Sequence, residues 1–256
     1  MKIGVIGTGT IASAIVTGFC KKGVGYEFFL SPRNAEKAAT LTATFTNIRV
    51  CESNQEVLDS AQWIFITVQK NAFDALKELK FRKDHNVLNM AAEMQLPFLK
   101  SITGETAILA HVIPLPMITC GFGPLLIYPK LPQVGELFGM VADAVYLTKL
   151  EDVRTLQLLS CLMSPYYMLM DELVSFASTQ GVEQDLTIKF LHSLLSALTK
   201  RAVETPNCDL VELAHDMTPG GYNEQAMNEL VNNGAIKAWY STLEVLQKRL
   251  VNSAKE

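Results

Sequence analysis

The 256-residue chain predicts an α/β fold: an N-terminal doubly wound parallel sheet over residues 1–149, followed by an all-α domain over residues 150–256. Three observations lead there. A short apolar strand at residues 3–6 runs directly into a glycine turn and an apolar helix. Further short apolar runs recur at crossover spacing as far as residue 113. Beyond about residue 150 the chain changes to long amphipathic or wholly apolar helical stretches with almost no strand pattern.

Taken in order, strands are expected at 3–6, 28–30, 49–51, 63–68, 86–90 and 108–113. Crossover helices are expected between them at 11–22, 35–45, 54–59 and 72–79, where length and apolar spacing fit a helix packed on a sheet. Right-handed crossovers would then bring the first glycine turn to the carboxyl edge of the sheet. In the second part, helices are expected at 150–177, 184–205, 209–217 and 223–252. Between residues 182 and 252 there are many apolar positions and no sheet to cover them, so a second copy of the chain is expected to bury part of this surface.

The composition bounds the partners. With 49% hydrophobic and 19% charged residues, the chain has the balance of a soluble globular protein with a full core. A net charge of -4 with no run of Lys or Arg argues against nucleic acid or an anionic membrane, and for a small-molecule ligand. The five cysteines (Cys20, Cys51, Cys120, Cys161, Cys208) are odd in number and far apart, which predicts free thiols in a reducing cytoplasm and no metal site. His85, His111, His192 and His215 show no ligand spacing and read as packed or exposed histidines, with His215, three residues before Thr218, the one nearest a candidate site. No eighteen-residue apolar span and no signal-peptide pattern is visible.

The first turn carries the chemistry. The segment Gly4-Val5-Ile6-Gly7-Thr8-Gly9-Thr10-Ile11-Ala12 has the Gly-x-Gly-x-x-Ala form of the dinucleotide fingerprint of Rossmann folds, with the required strand before it and helix after it. Gly7 permits the tight turn, Gly9 lets the backbone approach a pyrophosphate, and Ala12 is small enough for the helix to sit close on the strand. Thr10 and Ile11 open the helix whose free N–H groups would face the phosphates. The second strand ends Leu30-Ser31-Pro32-Arg33-Asn34, without the carboxylate that would hold a ribose 2'-hydroxyl. Ser31 and Arg33 therefore favour NADP over NAD, with Arg33 as the phosphate partner, unless Arg33 is a solvated charge and Ser31 only starts a turn. Asn54 is by its own position an N-cap candidate.

The fingerprint, the Ser-x-Arg that follows the second strand, and Met217-Thr218-Pro219-Gly220-Gly221-Tyr222-Asn223 lie at the spacing of pyrroline-5-carboxylate reductases, which the chain resembles over nearly its full length. The resemblance implies NAD(P)H-dependent reduction of a cyclic imine, 1-pyrroline-5-carboxylate, to proline, in a homodimer or a larger dimer-built assembly whose helical domain completes the site. It also adds Asn54, Val68, Ala91 and Pro114 to the cofactor contacts. Several positions depart from the family pattern. Gln69-Lys70 stands for Lys-Pro, Glu93 for a glycine, and apolar Leu115 for an asparagine; larger side chains occupy the turn before Tyr166-Tyr167; and Tyr222 and Asn223 replace two threonines. Tyr166 and Tyr167 read equally as pocket-lining or core aromatics.

In the aligned loop Asn223 can donate a hydrogen bond to a developing amine, and Tyr222 offers a phenolic proton. Thr218 adds a hydroxyl, and Gly220 and Gly221 are expected to present N–H groups to a substrate carboxylate. Read without the resemblance, Pro-Gly-Gly is a turn between helices with Asn223 as N-cap. The substitutions leave open a different imine or keto acid as substrate, or a non-catalytic nucleotide-binding paralogue.

Overall fold

The computed structural model describes residues 1–253; the last three residues of the expected helical domain, 254–256, lie outside them. The chain divides into two compact units, residues 1–156 and 157–256.

The first unit is built on eight strands: β1 (Lys2–Ile6), β2 (Glu27–Leu30), β3 (Ile48–Val50), β4 (Trp63–Ile66), β5 (Asn86–Asn89), β6 (Ile108–Pro114), β7 (Pro124–Tyr128) and β8 (Asp143–Tyr146). They form one sheet in the order β3-β2-β1-β4-β5-β6-β7-β8. All neighbours run parallel except β6 and β7, which are antiparallel. Helices α1 (Thr10–Lys21), α2 (Ala35–Thr44), α3 (Asn54–Ser60), α4 (Leu96–Thr103) and α5 (Pro132–Phe138) join the strands. Burial on both faces follows from the pleat, because successive side chains point to opposite sides. Ile3, Val5, Phe28, Phe65 and Leu88 pack with α1 on one face. Ile6, Phe29, Ile64, Ile66 and Val87 pack with α3 and α4 on the other.

The six expected strands are present, but β7, β8, α4 and α5 are additions to the sequence reading. The expected helix at 72–79 is two 3-10 turns, Lys70–Ala72 and Asp74–Glu78. These i→i+3 turns still bury Ala72 and Leu76. Ser53, not Asn54, caps α3: its hydroxyl accepts from the Glu56 N–H at 3.1 Å, which makes Asn54 the first helical residue.

The helical part holds α6 (Leu150–Leu159), which crosses the boundary between the units, and α7 (Met163–Thr179), α8 (Gln184–Glu204), α9 (Leu210–His215), α10 (Tyr222–Asn232) and α11 (Ala235–Ser253). Two expected long helices are each divided. The stretch 150–177 breaks at 160–162 because Pro165 has no N–H, which costs nothing only in a first turn, and α7 restarts just before it. The stretch 223–252 breaks at Asn233-Gly234, where Gly234 takes a φ of +80° that ends α10. No described helix is long and apolar enough to cross a membrane.

Candidate functional site

The carboxyl ends of β1, β2, β4 and β5 lead directly to Gly7, Ser31, the segment Thr67-Val68 and Ala91, and Pro114 ends β6. Four of the parallel strands and the end of β6 thus deliver the expected cofactor residues to one edge of the sheet, the edge where open α/β sheets bind ligands. Asn54 follows β3 on the same side, half-buried, with no hydrogen-bond partner for its side chain among the described residues.

Gly7 and Gly9 divide their roles clearly. Gly7 has φ +97°, and a Cβ on it would lie 3.0 Å from the Thr67 carbonyl carbon and oxygen and from Val68 Cγ1. Only glycine makes this turn without strain. Gly9 is the N-cap of α1 at φ -89°, with no side-chain cap, and a Cβ there would meet nothing within 4 Å. The first-turn N–H groups of α1 therefore open onto unfilled space, the arrangement a pyrophosphate requires. Ala12 is buried in the α1 packing and acts as a spacer; Ile11 is half-buried.

Ser31 is a correction. Its side chain is fully buried, and its Oγ accepts the Gly7 N–H at 3.0 Å and lies 3.4 Å from Thr8 Oγ1, whose hydroxyl donates to the Ser31 carbonyl at 2.9 Å. Thr67 Oγ1 donates to the Ile6 carbonyl at 3.1 Å and to that of Gly7. Ser31 thus holds the glycine turn and is closed off from a ribose phosphate. Arg33 is exposed and makes no ion pair among the described residues. Asn34 caps α2 by accepting the Lys37 N–H at 3.2 Å. Lys37, absent from the sequence reading, then reaches from α2 to α1, where its Nζ donates to Thr10 Oγ1 at 3.0 Å. No local signal in the sequence marks it, because its partner Thr10 lies 27 residues earlier in the chain.

A buried polar clamp also went unread. Asn89, fully buried at the end of β5, accepts the Ala91 N–H at 3.0 Å and donates to the Met94 carbonyl and to His111 Nδ1, both at 2.8 Å. Burial pushes the His111 pKa down to about 4, so the ring is neutral and Nδ1 is an acceptor. That fixes the Asn89 amide with its oxygen toward Ala91 and so sets the backbone after β5.

The glycine-pair loop lies in the helical unit. Gly220 has φ +73°, Gly221 is the N-cap of α10, and Tyr222 and Asn223 are its first two residues, so Asn223 is not a cap. Tyr222 is 88% exposed, and the Asn223 amide donates toward Met217 Sδ at 3.8 Å. Thr218 is exposed. The expected free N–H groups of Gly220 and Gly221 are corrected: the Gly220 N–H donates to Glu224 Oε2 at 2.5 Å, and the Gly221 N–H donates to the Thr218 carbonyl at 2.9 Å. Tyr166 and Tyr167 are both exposed, so they are not core aromatics.

Residues 2–93 match the family model of NADP oxidoreductases, coenzyme F420-dependent. No curated protein sequence matches the chain. Among solved structures, pyrroline-5-carboxylate reductase from Streptococcus pyogenes is 18% identical with a TM-score of 0.79, over 100% of this chain and 98% of that one. The Plasmodium falciparum pyrroline carboxylate reductase with NADP bound is 15% identical with a TM-score of 0.79, over 97% and 96%. An Aspergillus terreus imine reductase in complex with NADPH4 and dibenz[c,e]azepine is 17% identical with a TM-score of 0.55, over 99% and 94%. The chain therefore has the fold of the pyrroline-5-carboxylate reductases at strongly diverged sequence, with the NADP-oxidoreductase pattern in its sheet.

Proposed function

We propose that this protein is an NADPH-dependent reductase of a carbon–nitrogen double bond in a small cyclic imine, with 1-pyrroline-5-carboxylate the substrate implied by the resemblance. The observation that carries the reading is the Gly7–Gly9 turn, where α1 begins uncapped over open space at the carboxyl edge of the sheet. Gly9 and the first turn of α1 would hold the pyrophosphate, and Arg33 and Lys37 the 2'-phosphate, which favours NADP over NAD. Bound there, the reduced nicotinamide supplies the hydride. The protein's own share is small: to orient the imine and to give its nitrogen a hydrogen bond and a proton. Asn223 is assigned the hydrogen bond, since an amide donates but does not readily release a proton, and Tyr222 the proton; Thr218 adds a hydroxyl.

The reading includes a homodimer through the helical unit. Helices α7, α8, α9 and α10 contain no fully buried apolar side chain and expose Tyr167, Met168, Phe176, Phe190, Leu210 and Val231. An apolar surface of that extent is normally covered by a partner. Sedimentation giving a monomer at micromolar concentration would remove this part.

The test of the activity is an NADPH and NADH binding titration followed by NADPH oxidation with cyclic imines. The expected result is NADPH binding at least tenfold tighter than NADH, and imine-dependent turnover. Failure to bind either cofactor overturns the reading, and cofactor binding without turnover on any imine or keto acid moves it to a non-catalytic nucleotide-binding protein.

A further inference from the structure

The glycine-pair loop is the place where the resemblance puts a substrate carboxylate, yet its backbone donors are already engaged. The Gly220 N–H, the one a left-handed glycine turns outward, is taken at 2.5 Å by the carboxylate of Glu224, which is half-buried while Thr218, Pro219, Gly220, Tyr222 and Asn223 are exposed. The Gly221 N–H is taken by the Thr218 carbonyl at 2.9 Å, and the Gly220 carbonyl by Gln225 Nε2 at 2.8 Å. The N–H groups that come next, on Tyr222 and Asn223, lie in the same helical turn as the Glu224 carboxylate. A second and independent feature is charge: residues 202–236 contain six carboxylates (Glu204, Asp209, Glu212, Asp216, Glu224 and Glu229) and no Lys or Arg. The nearest preceding cation, Arg201, is ion-paired with Asp216. An arriving carboxylate thus finds neither a free N–H at the glycines nor a counter-cation in this segment, and it meets a like charge at hydrogen-bond range.

From this we infer that Glu224 is a specificity-determining residue that turns the loop against anionic substrates, so that the preferred substrate is a cyclic imine without a carboxylate. Such a ring is neutral as the imine and cationic as the iminium, and the cation is the form a neighbouring carboxylate stabilises. The inference rests on the proposed imine reduction and on this loop meeting the substrate. Reduction adds a hydride to the imine carbon and a proton to nitrogen, so 1-pyrroline gives pyrrolidine and 1-pyrroline-5-carboxylate gives proline.

The experiment compares these two rings, identical except for the carboxylate, in kcat/KM with NADPH for the wild-type protein, Glu224→Ala and Glu224→Gln. Wild type is expected to favour 1-pyrroline at least tenfold. Glu224→Ala, which removes the charge and frees the Gly220 N–H, should shift the ratio at least tenfold toward the carboxylate substrate; Glu224→Gln, which removes the charge but keeps an acceptor on that N–H, should fall between. Equal or better use of 1-pyrroline-5-carboxylate by wild type, or a ratio unchanged in Glu224→Ala, overturns the inference while leaving the reductase reading intact. A parallel titration of the NADP-loaded protein with pyrrolidine and with proline needs no turnover. If neither ring is reduced but pyrrolidine binds at least tenfold tighter than proline in a Glu224-dependent way, the selectivity stands and the reductase reading passes to the wider screen of imines and keto acids; tighter proline binding overturns the selectivity.

Discussion

Replacing each of the first two fingerprint glycines by alanine should separate folding from cofactor binding. At Gly9 the added methyl meets nothing within 4 Å, and φ of -89° is open to any residue. Losing unfolded-state freedom favours Ala by about 0.4–1 kcal/mol. The poorer N-cap propensity of Ala costs a similar amount, so the net effect lies within about 1 kcal/mol. For a chain of this size that is a melting shift of at most about 4 °C. The same methyl, however, projects into the space in front of α1 and blocks an N–H-to-phosphate contact. At about 1.5–3 kcal/mol for a hydrogen bond to a charged group, the NADPH Kd should rise about 10- to 150-fold. Gly7→Ala should behave in the opposite way. Its φ of +97° and the 3.0 Å approach to the Thr67 carbonyl make the methyl costly by about 1–3 kcal/mol. The melting transition should then fall by about 3–10 °C. Thermal unfolding followed by circular dichroism and NADPH fluorescence titration read both quantities. NADPH binding to Gly9→Ala at wild-type strength would refute the placement of the pyrophosphate, and a melting loss in Gly9→Ala equal to that of Gly7→Ala would refute the open space.

Arg33→Ala and Lys37→Ala should each weaken NADPH by roughly fivefold or more, about 1 kcal/mol of charge-assisted bonding at an exposed site, and leave NADH unchanged; equal loss for both cofactors in isothermal titration would end the NADP assignment. Ser31→Ala should do the reverse, lowering the melting temperature with the NADPH/NADH ratio unchanged, because its hydroxyl is buried against the Gly7 N–H. The buried His111 gives a pH dependence. Its folded pKa of about 4 lies below the ordinary 6.5, so as pH falls the unfolded chain takes up the proton first. The histidine's effect on stability is nil above pH 6.5 and grows to a loss of about 3 kcal/mol as pH falls to about 4. Relative to His111→Gln, whose amide oxygen still accepts from Asn89, wild type should lose about 2.4 kcal/mol more stability in urea unfolding between pH 7 and pH 4.5; superimposable profiles would contradict the neutral buried ring.

What was readable in the chain was local. The β1 turn, its two glycines and α1 lie within about twenty residues, and the reason for each is a backbone angle or a close approach that glycine alone supplies. Features that depend on distant chain were not readable. Lys37 meets Thr10 only because β1 and β2 pair in parallel and bring the starts of α1 and α2 side by side, and the Asn89–His111 pair forms only when β5 and β6 align in register. The divided helices were a different kind of miss, since Pro165 and Gly234 are punctuation with a known mechanism and apolar periodicity was allowed to outweigh them.

The glycine-pair loop departs from expectation through one side chain: Glu224, four residues on and in the position of a helix-capping carboxylate, takes the Gly220 N–H. This contrast has a physical source. A dinucleotide is held largely by main chain and by helix ends, which vary little as side chains diverge. Substrate choice turns on the reach and charge of single side chains, where one carboxylate 4 Å from another is worth about 1 kcal/mol in water and about 4 kcal/mol at an effective dielectric of 20. At 15–18% identity the fold is kept, and a single carboxylate such as Glu224 is where the inferred preference against anionic substrates would lie.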